Sequence, residues 1–194
     1  MCGAPSNLRA RAAFAAAALA FAAAGCGGGE RRDAGAGGGI YDVAIVRAQF
    51  PARQHLAQKP TFVMTVRNTG HRTIPNLAVT LHGFSSRSGA ATQADARAPV
   101  WLVDEDPPGT VTAIEDTWTA GALAPGRSVT LRWHVTPVRA GTHVVRYAVA
   151  ADLAGTSQAR VAGGGRPRGS IAVRVDARPA QARVDPRTGQ VVRE

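Results

Sequence analysis

Thiols are nearly absent from this chain: 194 residues hold two cysteines, Cys2 and Cys26. Beyond residue 26 no disulfide, cysteine-ligated zinc centre or thiol nucleophile can form. Lysine is scarcer still, for Lys59 is the only one and the other 22 of the 23 basic residues are arginine. Aromatic residues are 5% of the chain, so each of the three tryptophans weighs heavily in any account of core or surface. No apolar run reaches the roughly 20 residues that a membrane-crossing helix needs. There is no G-x-S-x-G, no H-E-x-x-H and no phosphate-cradling loop. Gly163-Gly164-Gly165 is followed by Arg166-Pro167-Arg168-Gly169 rather than by a helix. A hydrolase would have only dispersed Ser, His and Asp to draw on, and the expectation is a protein that is not an enzyme.

What is present is most distinctive near the start. Arg9 and Arg11 precede an apolar run of 13 residues, Ala12 to Ala24, and Gly25 and Cys26 follow. A basic n-region, a short h-region and small residues before a cut describe an export signal. Ala23-Ala24-Gly25-Cys26 resembles the bacterial lipobox, with alanine at its first position. The resemblance implies cleavage before Cys26 and a diacylglyceryl group on its sulfur, whose two acyl chains make a stable anchor where one would not. The alternative is an ordinary secretory signal cut near Ala22-Ala23-Ala24. Ala10 separates the two arginines, which argues against a twin-arginine signal. Residues 1–25 are thus read as signal peptide and 26–39 as lipidated cysteine and tether. Gly27 to Gly39, GGGERRDAGAGGG, has no side chain able to build a core. Such a segment averages about 20 Å end to end and spans about 45 Å at full stretch.

Removing the signal leaves 169 residues, room for one domain with a core. The formal charge falls from +10 to +8 as Arg9 and Arg11 depart. An abundance of Ala, Gly and Arg reads as the codon bias of a GC-rich genome. An exported chain does not meet the genome, so no nucleic-acid partner is expected. An anionic envelope surface fits the charge, and so does a merely solvated basic surface.

From Ile40 the pattern has a period of two. Ile40 to Val46 begins a first strand. Phe62, Met64 and Val66 then alternate with Val63, Thr65 and Arg67, and Asn68-Thr69-Gly70 marks a turn. Leu77, Val79 and Leu81 alternate with Ala78, Thr80 and His82. After the Pro125-Gly126 turn come Val129, Leu131, Trp133 and Val135, and after Ala140-Gly141 come His143, Val145, Tyr147 and Val149. Ile171, Val173 and Val175 form the last clear strand, with Arg174 in the opposite phase. No helical periodicity competes. Six or seven short strands punctuated by turns predict an all-β fold, an antiparallel sandwich over residues 40–178. Phe84 to Thr117 is a long link in which Trp101-Leu102-Val103 is expected to form an edge strand or cover a sheet end. In the tail, residues 179–194, Asp185 to Gln190 is a possible hairpin turn between two apolar pieces, expected to dock as an extra ribbon.

Val66-Arg67-Asn68-Thr69-Gly70, Leu123 to Thr130 (LAPGRSVT) and Val138 to His143 (VRAGTH) together resemble the turn rhythm of bacterial extracellular immunoglobulin-like modules of the adhesion-associated, CARDB-like type. The resemblance covers roughly Tyr41 to Ala177. It implies an immunoglobulin-like fold and no particular ligand, because the shared residues are turn chemistry. Where such modules often carry tyrosine after the strand-opening glycine, this chain has His143.

Candidate sites are few. Asp104, Glu105, Asp106, Glu115 and Asp116 are five of the 13 acids, a local reversal of sign. Asp104, Asp106, Glu115 and Asp116 could supply oxygens to calcium, although their spacing matches no EF-hand or repeat-type calcium loop and Pro107-Pro108 restricts wrapping. The competing expectation is a solvated acidic loop, or one paired with nearby arginines. No two of His55, His71, His82, His134 and His143 stand at i, i+2, so a copper or zinc centre would have to be assembled from distant loops. His82 and His134 are expected to face solvent, and His143 to be structural. Trp133 falls in the buried phase of its strand, whereas Trp101 and Trp118 could be core or contact surface.

The best contact candidates are Arg166 and Arg168 in the glycine-rich loop, and Trp101, Asp104, Glu105 and Asp106 in the acidic one. Two functions follow as expectations. One is a membrane-anchored, non-enzymatic module binding an envelope polymer or surface protein outside the cytoplasm. The other is a metal- or solute-binding lipoprotein that delivers its ligand to a membrane partner.

Overall fold

A computed structural model describes residues 38–86, 99–114, 116–179 and 181–193. The signal peptide, Cys26 and the tether up to residue 37 lie outside the described residues, as does Glu115. Twelve strands build two six-stranded sheets. The first sheet runs, edge to edge, β11 (Ser157–Arg160), β1 (Gly39–Gln49), β3 (Thr61–Asn68), β9 (Ser128–Pro137), β6 (Trp101–Glu105) and β5 (Phe84–Ser86). The second runs β2 (Arg53–Leu56), β12 (Arg168–Pro179), β10 (Gly141–Ala150), β4 (Ile74–His82), β8 (Thr117–Leu123) and β7 (Val111–Ile114). The fold is an all-β, immunoglobulin-like sandwich. Its long strands pair antiparallel as read from the sequence, but β1–β11, β12–β2 and β5–β6 pair parallel at the edges.

The alternating residues meet where periodicity places them. Phe62, Met64 and Val66 from β3 and Leu131, Trp133 and Val135 from β9 face Leu77, Val79 and Leu81 from β4, and all are buried in one core. Val145, Val149, Val173 and Val175 extend it across β10 and β12. Burying an aliphatic or aromatic side chain stabilises by roughly 1.5–3 kcal/mol, so these few strands hold most of the fold together. Phe50, Phe62, Phe84 and Trp101 form one aromatic cluster with ring centroids 5.5–5.7 Å apart, mostly edge-on or tilted. Trp118 and Trp133 meet edge to face at 5.6 Å.

Trp101 is therefore not a contact residue. It is fully buried, and its Nε1–H donates to Gln54 Oε1 at 2.8 Å. Gln54 Nε2 in turn donates to the Pro51 carbonyl at 2.9 Å. A buried indole N–H needs an acceptor, and a glutamine on the four-residue strand β2 supplies it. β6 is also not an edge strand, since β5 pairs beyond it. The tail forms its hairpin, β13 (Ala182–Val184) with β14 (Val191–Arg193), but the ribbon is a sheet of its own and adds to neither layer. Its cross-strand partners Val184 and Val191 are exposed, so the ribbon's apolar pair is not packed against either sheet.

Asn68 turns from turn marker into clasp. It is fully buried at the end of β3, and its Nδ2 donates to the carbonyls of Leu123 at 2.8 Å and Arg72 at 2.9 Å. Its Oδ1 accepts the Gly70 amide at 3.0 Å. One side chain thus ties the first sheet to the end of β8 in the second.

Candidate functional site: a basic sheet face and its groove

The outward phase of β10 and β12 carries the charge. Arg146 lies between Ser170 on β12 and His82 on β4, and Arg168 lies beside Ala148. Arg174 lies between Thr142 on β10 and Arg53 on β2. All four arginines are exposed, and among the described residues none has an ion pair or a hydrogen bond from its guanidinium. Like charges directly opposite each other on a sheet are unfavourable. Arg53 beside Arg174 is such a pair, and a bound anion would relieve it.

The outer face of the first sheet is different. There Arg160 is bound to Asp42 at 2.5 Å, Lys59 reaches Asp104, and Thr65 bonds to Thr130. The Arg160 guanidinium holds the Asp42 carboxyl below the usual carboxylate range.

At one end of the basic face an open groove of about 850 Å³ is lined by Arg146, Tyr147, Asp152, Ser157, Arg166 and Arg168, among others. Its floor depends on a glycine. Tyr147 and Gly169 are register partners, and a Cβ at Gly169 would meet Tyr147 ring carbons Cζ at 2.5 Å and Cε2 at 2.9 Å. Glycine lets the tyrosine ring lie flat across its neighbour strand. The groove's far wall is the β10–β11 connection, held by Asp152. That carboxylate is buried and accepts the Gly155 amide at 2.6 Å, the Thr156 hydroxyl at 2.6 Å and the Ser157 amide at 2.5 Å.

Burial raises the pKa of Asp152, but the hydrogen bonds from Thr156, Ser157 and Gly155 outweigh it and hold the carboxyl below its ordinary value. A lowered folded-state pKa stabilises above the ordinary carboxylate range and is lost as pH falls through the lowered value. Among the described residues Asp152 is the only carboxylate lining the groove and is thus committed to its own loop, while three unpaired arginines line the same groove.

Of the residues singled out in the sequence, Arg166 and Arg168 are brought together, and Arg146 joins them. Arg146, Arg168 and Arg174 share the outward phase of their strands, a signal present in the sequence. Which strands are neighbours was not.

The acidic candidates are not brought together. Asp104 accepts from Thr136 Oγ1 at 2.6 Å and Lys59 Nζ at 3.4 Å on the first sheet. Asp106 accepts from Trp118 Nε1 at 2.7 Å and Thr112 Oγ1 at 2.9 Å. Asp116 meets His82 Nδ1 at 2.9 Å and accepts from Thr117, and Glu105 is exposed at the end of β6. Among the described residues no group of three or more His, Cys, Asp or Glu could hold a metal ion. His134 is exposed and bonded to Thr61. His143 Nε2 lies 3.1 Å and 3.2 Å from the carbonyls of Arg139 and Ala140, closing the turn into β10.

No protein-family model matches the chain, and no curated protein matches it. Solved structures do. The CARDB domain of a Pyrococcus furiosus protein, crystallised in complex with di-metal ions, is 12% identical over 71% of this chain and 86% of that one, with a TM-score of 0.42. The solution structure of a CARDB domain from the same organism is 15% identical over 70% and 92%, at 0.41. Native alpha-2-macroglobulin of Escherichia coli, from domain MG7 to its C-terminus, is 14% identical over 77% of this chain and 21% of that one, at 0.42. Likeness at this level assigns no ligand to this chain.

Proposed function

We propose that the chain is an exported lipoprotein, held outside the cytoplasm by an acylated Cys26, whose sandwich is a non-enzymatic module that binds a polyanionic component of the cell envelope. The anchoring half rests on the sequence from Arg9 to Cys26. The binding half rests on one observation: Arg53, Arg146, Arg168 and Arg174 stand unpaired on one sheet face, with Arg166 beside them in the groove. Guanidinium groups bind phosphate and carboxylate oxygens through paired N–H donors, and at an exposed surface each such contact contributes up to about 1 kcal/mol.

Polyphosphate serves as probe. The variant Arg146→Gln, Arg168→Gln, Arg174→Gln is expected to bind it about 100-fold more weakly than wild type. The control Arg47→Gln, Arg67→Gln, Arg132→Gln removes the same charge from the other sheet, and should cost no more than about threefold, the part carried by screened long-range attraction. Equal losses in the two variants would reduce the binding to net charge and refute the assigned face.

A further inference from the structure

The groove lies where the chain enters the sandwich. Gly39 opens β1, its amide donates to the Thr156 carbonyl, and Gly39 to Asp42 pair in parallel with Ser157 to Arg160. Ser157, Gln158 and Ala159 are also groove residues, as are Asp152 and Gly155 from the preceding loop. The thirteen residues from Gly27 to Gly39 that join Cys26 to this point span at most about 45 Å. An anchor on Cys26 therefore pulls on the groove's own end of the domain.

The same end carries exposed aliphatic side chains. Ile40 is 55% exposed on β1, opposite Gln158, and Leu153 is 42% exposed in the loop held by Asp152. Unpaired arginines at an end of the domain that also exposes aliphatic residues suit a surface that offers phosphate outside and hydrocarbon just beneath it. A soluble polyanion would have no use for Ile40 and Leu153.

We infer that this end of the sandwich docks on the anionic lipid surface of the membrane that carries the chain, with Arg146, Arg166 and Arg168 engaging lipid phosphate groups and Ile40 and Leu153 entering the interface. The inference rests on the anchoring reading and assigns the groove-end arginines to the lipid headgroup layer, while Arg53 and Arg174, beside Thr142 at the other end of the face, stay outside it. Docking lays the groove against the membrane and leaves the opposite end of the sandwich, with the turn at Ala140, directed outward.

The test uses the chain purified from membranes with its own anchor. Ala162→Cys places a thiol in the exposed turn leading to Arg166, and Ala140→Cys places one in the exposed turn at the far end of β10. The body beyond Cys26 has no other thiol, so each position takes a fluorophore alone. On vesicles of phosphatidylcholine mixed with phosphatidylglycerol, the label at 162 should be shielded from an aqueous quencher and the label at 140 should stay open. On phosphatidylcholine alone both should stay open. Adding Arg146→Gln, Arg166→Gln and Arg168→Gln should lower the ratio of docked to undocked domain about 100-fold, at about fivefold per arginine. Leu153→Asn should weaken docking while leaving polyphosphate affinity within about twofold, since it removes no arginine and adds no charge.

Equal quenching at 162 on the two vesicle types overturns the inference. Shielding of 162 by polyphosphate as complete as by vesicles also overturns it, and leaves the polyanion reading standing. The mass of the purified chain reports separately on Cys26, and an unacylated cysteine overturns the anchoring reading and this inference with it.

Discussion

Asn68→Ala is expected to destabilise the sandwich by about 3 kcal/mol, because it strands two backbone carbonyls at once, that of Leu123 in the buried interior and that of Arg72 nearer the surface. The carbonyls of Leu123 and Arg72 lose their side-chain donor, while the Gly70 amide loses one acceptor and keeps the Asp42 carbonyl at 3.2 Å. Each orphaned group costs roughly 1–3 kcal/mol where water cannot replace the partner. A single domain of this size has about 5–15 kcal/mol in total, so the loss should lower the melting temperature by about 10 °C or more. Asn68→Asp should do no better, since it keeps an acceptor for Gly70 but aims a carboxylate oxygen at two carbonyls. Thr65→Val breaks only the exposed hydroxyl pair with Thr130 and should move stability by less than about 1 kcal/mol. Denaturant midpoints for the three variants measure the ordering. A midpoint for Asn68→Ala as close to wild type as that of Thr65→Val would mean that the clasp between the sheets is not formed.

Trp101→Ala is expected to cost about 4–5 kcal/mol, from two sources. The indole packs against Phe50 at 5.5 Å, Phe84 at 5.5 Å and His143 at 5.9 Å, and deleting a buried ring of this size leaves a cavity worth roughly 3–5 kcal/mol. Gln54 Oε1 also loses its donor. Trp101→Phe separates the two, keeping most of the packing and costing about 1–2 kcal/mol for the missing hydrogen bond. Chemical denaturation of both variants gives the split directly. A Trp101→Ala protein that stays as stable as wild type but loses polyphosphate binding would return this residue to the surface and reverse its assignment.

These two residues also mark how far the sequence could be read. Phe62, Met64 and Val66, or Leu77, Val79 and Leu81, announce their strands because each buries one face, and burial leaves a period of two in the residue types. Edge strands obey a weaker rule. β2 and β11 read RQHL and SQAR, with no apolar alternation, because an edge strand needs backbone partners on one side and little else. Gln54 is buried for its hydrogen bonds, not for its polarity class, and nothing in its neighbours shows that Trp101, far along the chain, requires an acceptor.

The same holds for Asn68. Asn-Thr-Gly gives a turn by local chemistry, but the partner at Leu123 exists only once the two sheets are stacked. The groove was half legible. Arg166 and Arg168 stood out in a glycine-rich loop, and Arg146 became their neighbour through the β10–β12 pairing. The acidic run misled for the opposite reason. Proximity in sequence put Asp104, Asp106 and Asp116 together, and the fold sends each to a different hydroxyl, indole or imidazole partner.

Attachment to the membrane depends on the chemistry of one sulfur atom, that of Cys26. The chain isolated from its native membrane should begin at Cys26, and tryptic cleavage after Arg31 should release the peptide Cys26 to Arg31 carrying the added mass of a diacylglyceryl group. That mass should disappear in a Cys26→Ser chain, with the protein leaving the membrane fraction. A chain that begins elsewhere, or a Cys26 peptide with an unmodified thiol, would contradict the anchoring claim at its root.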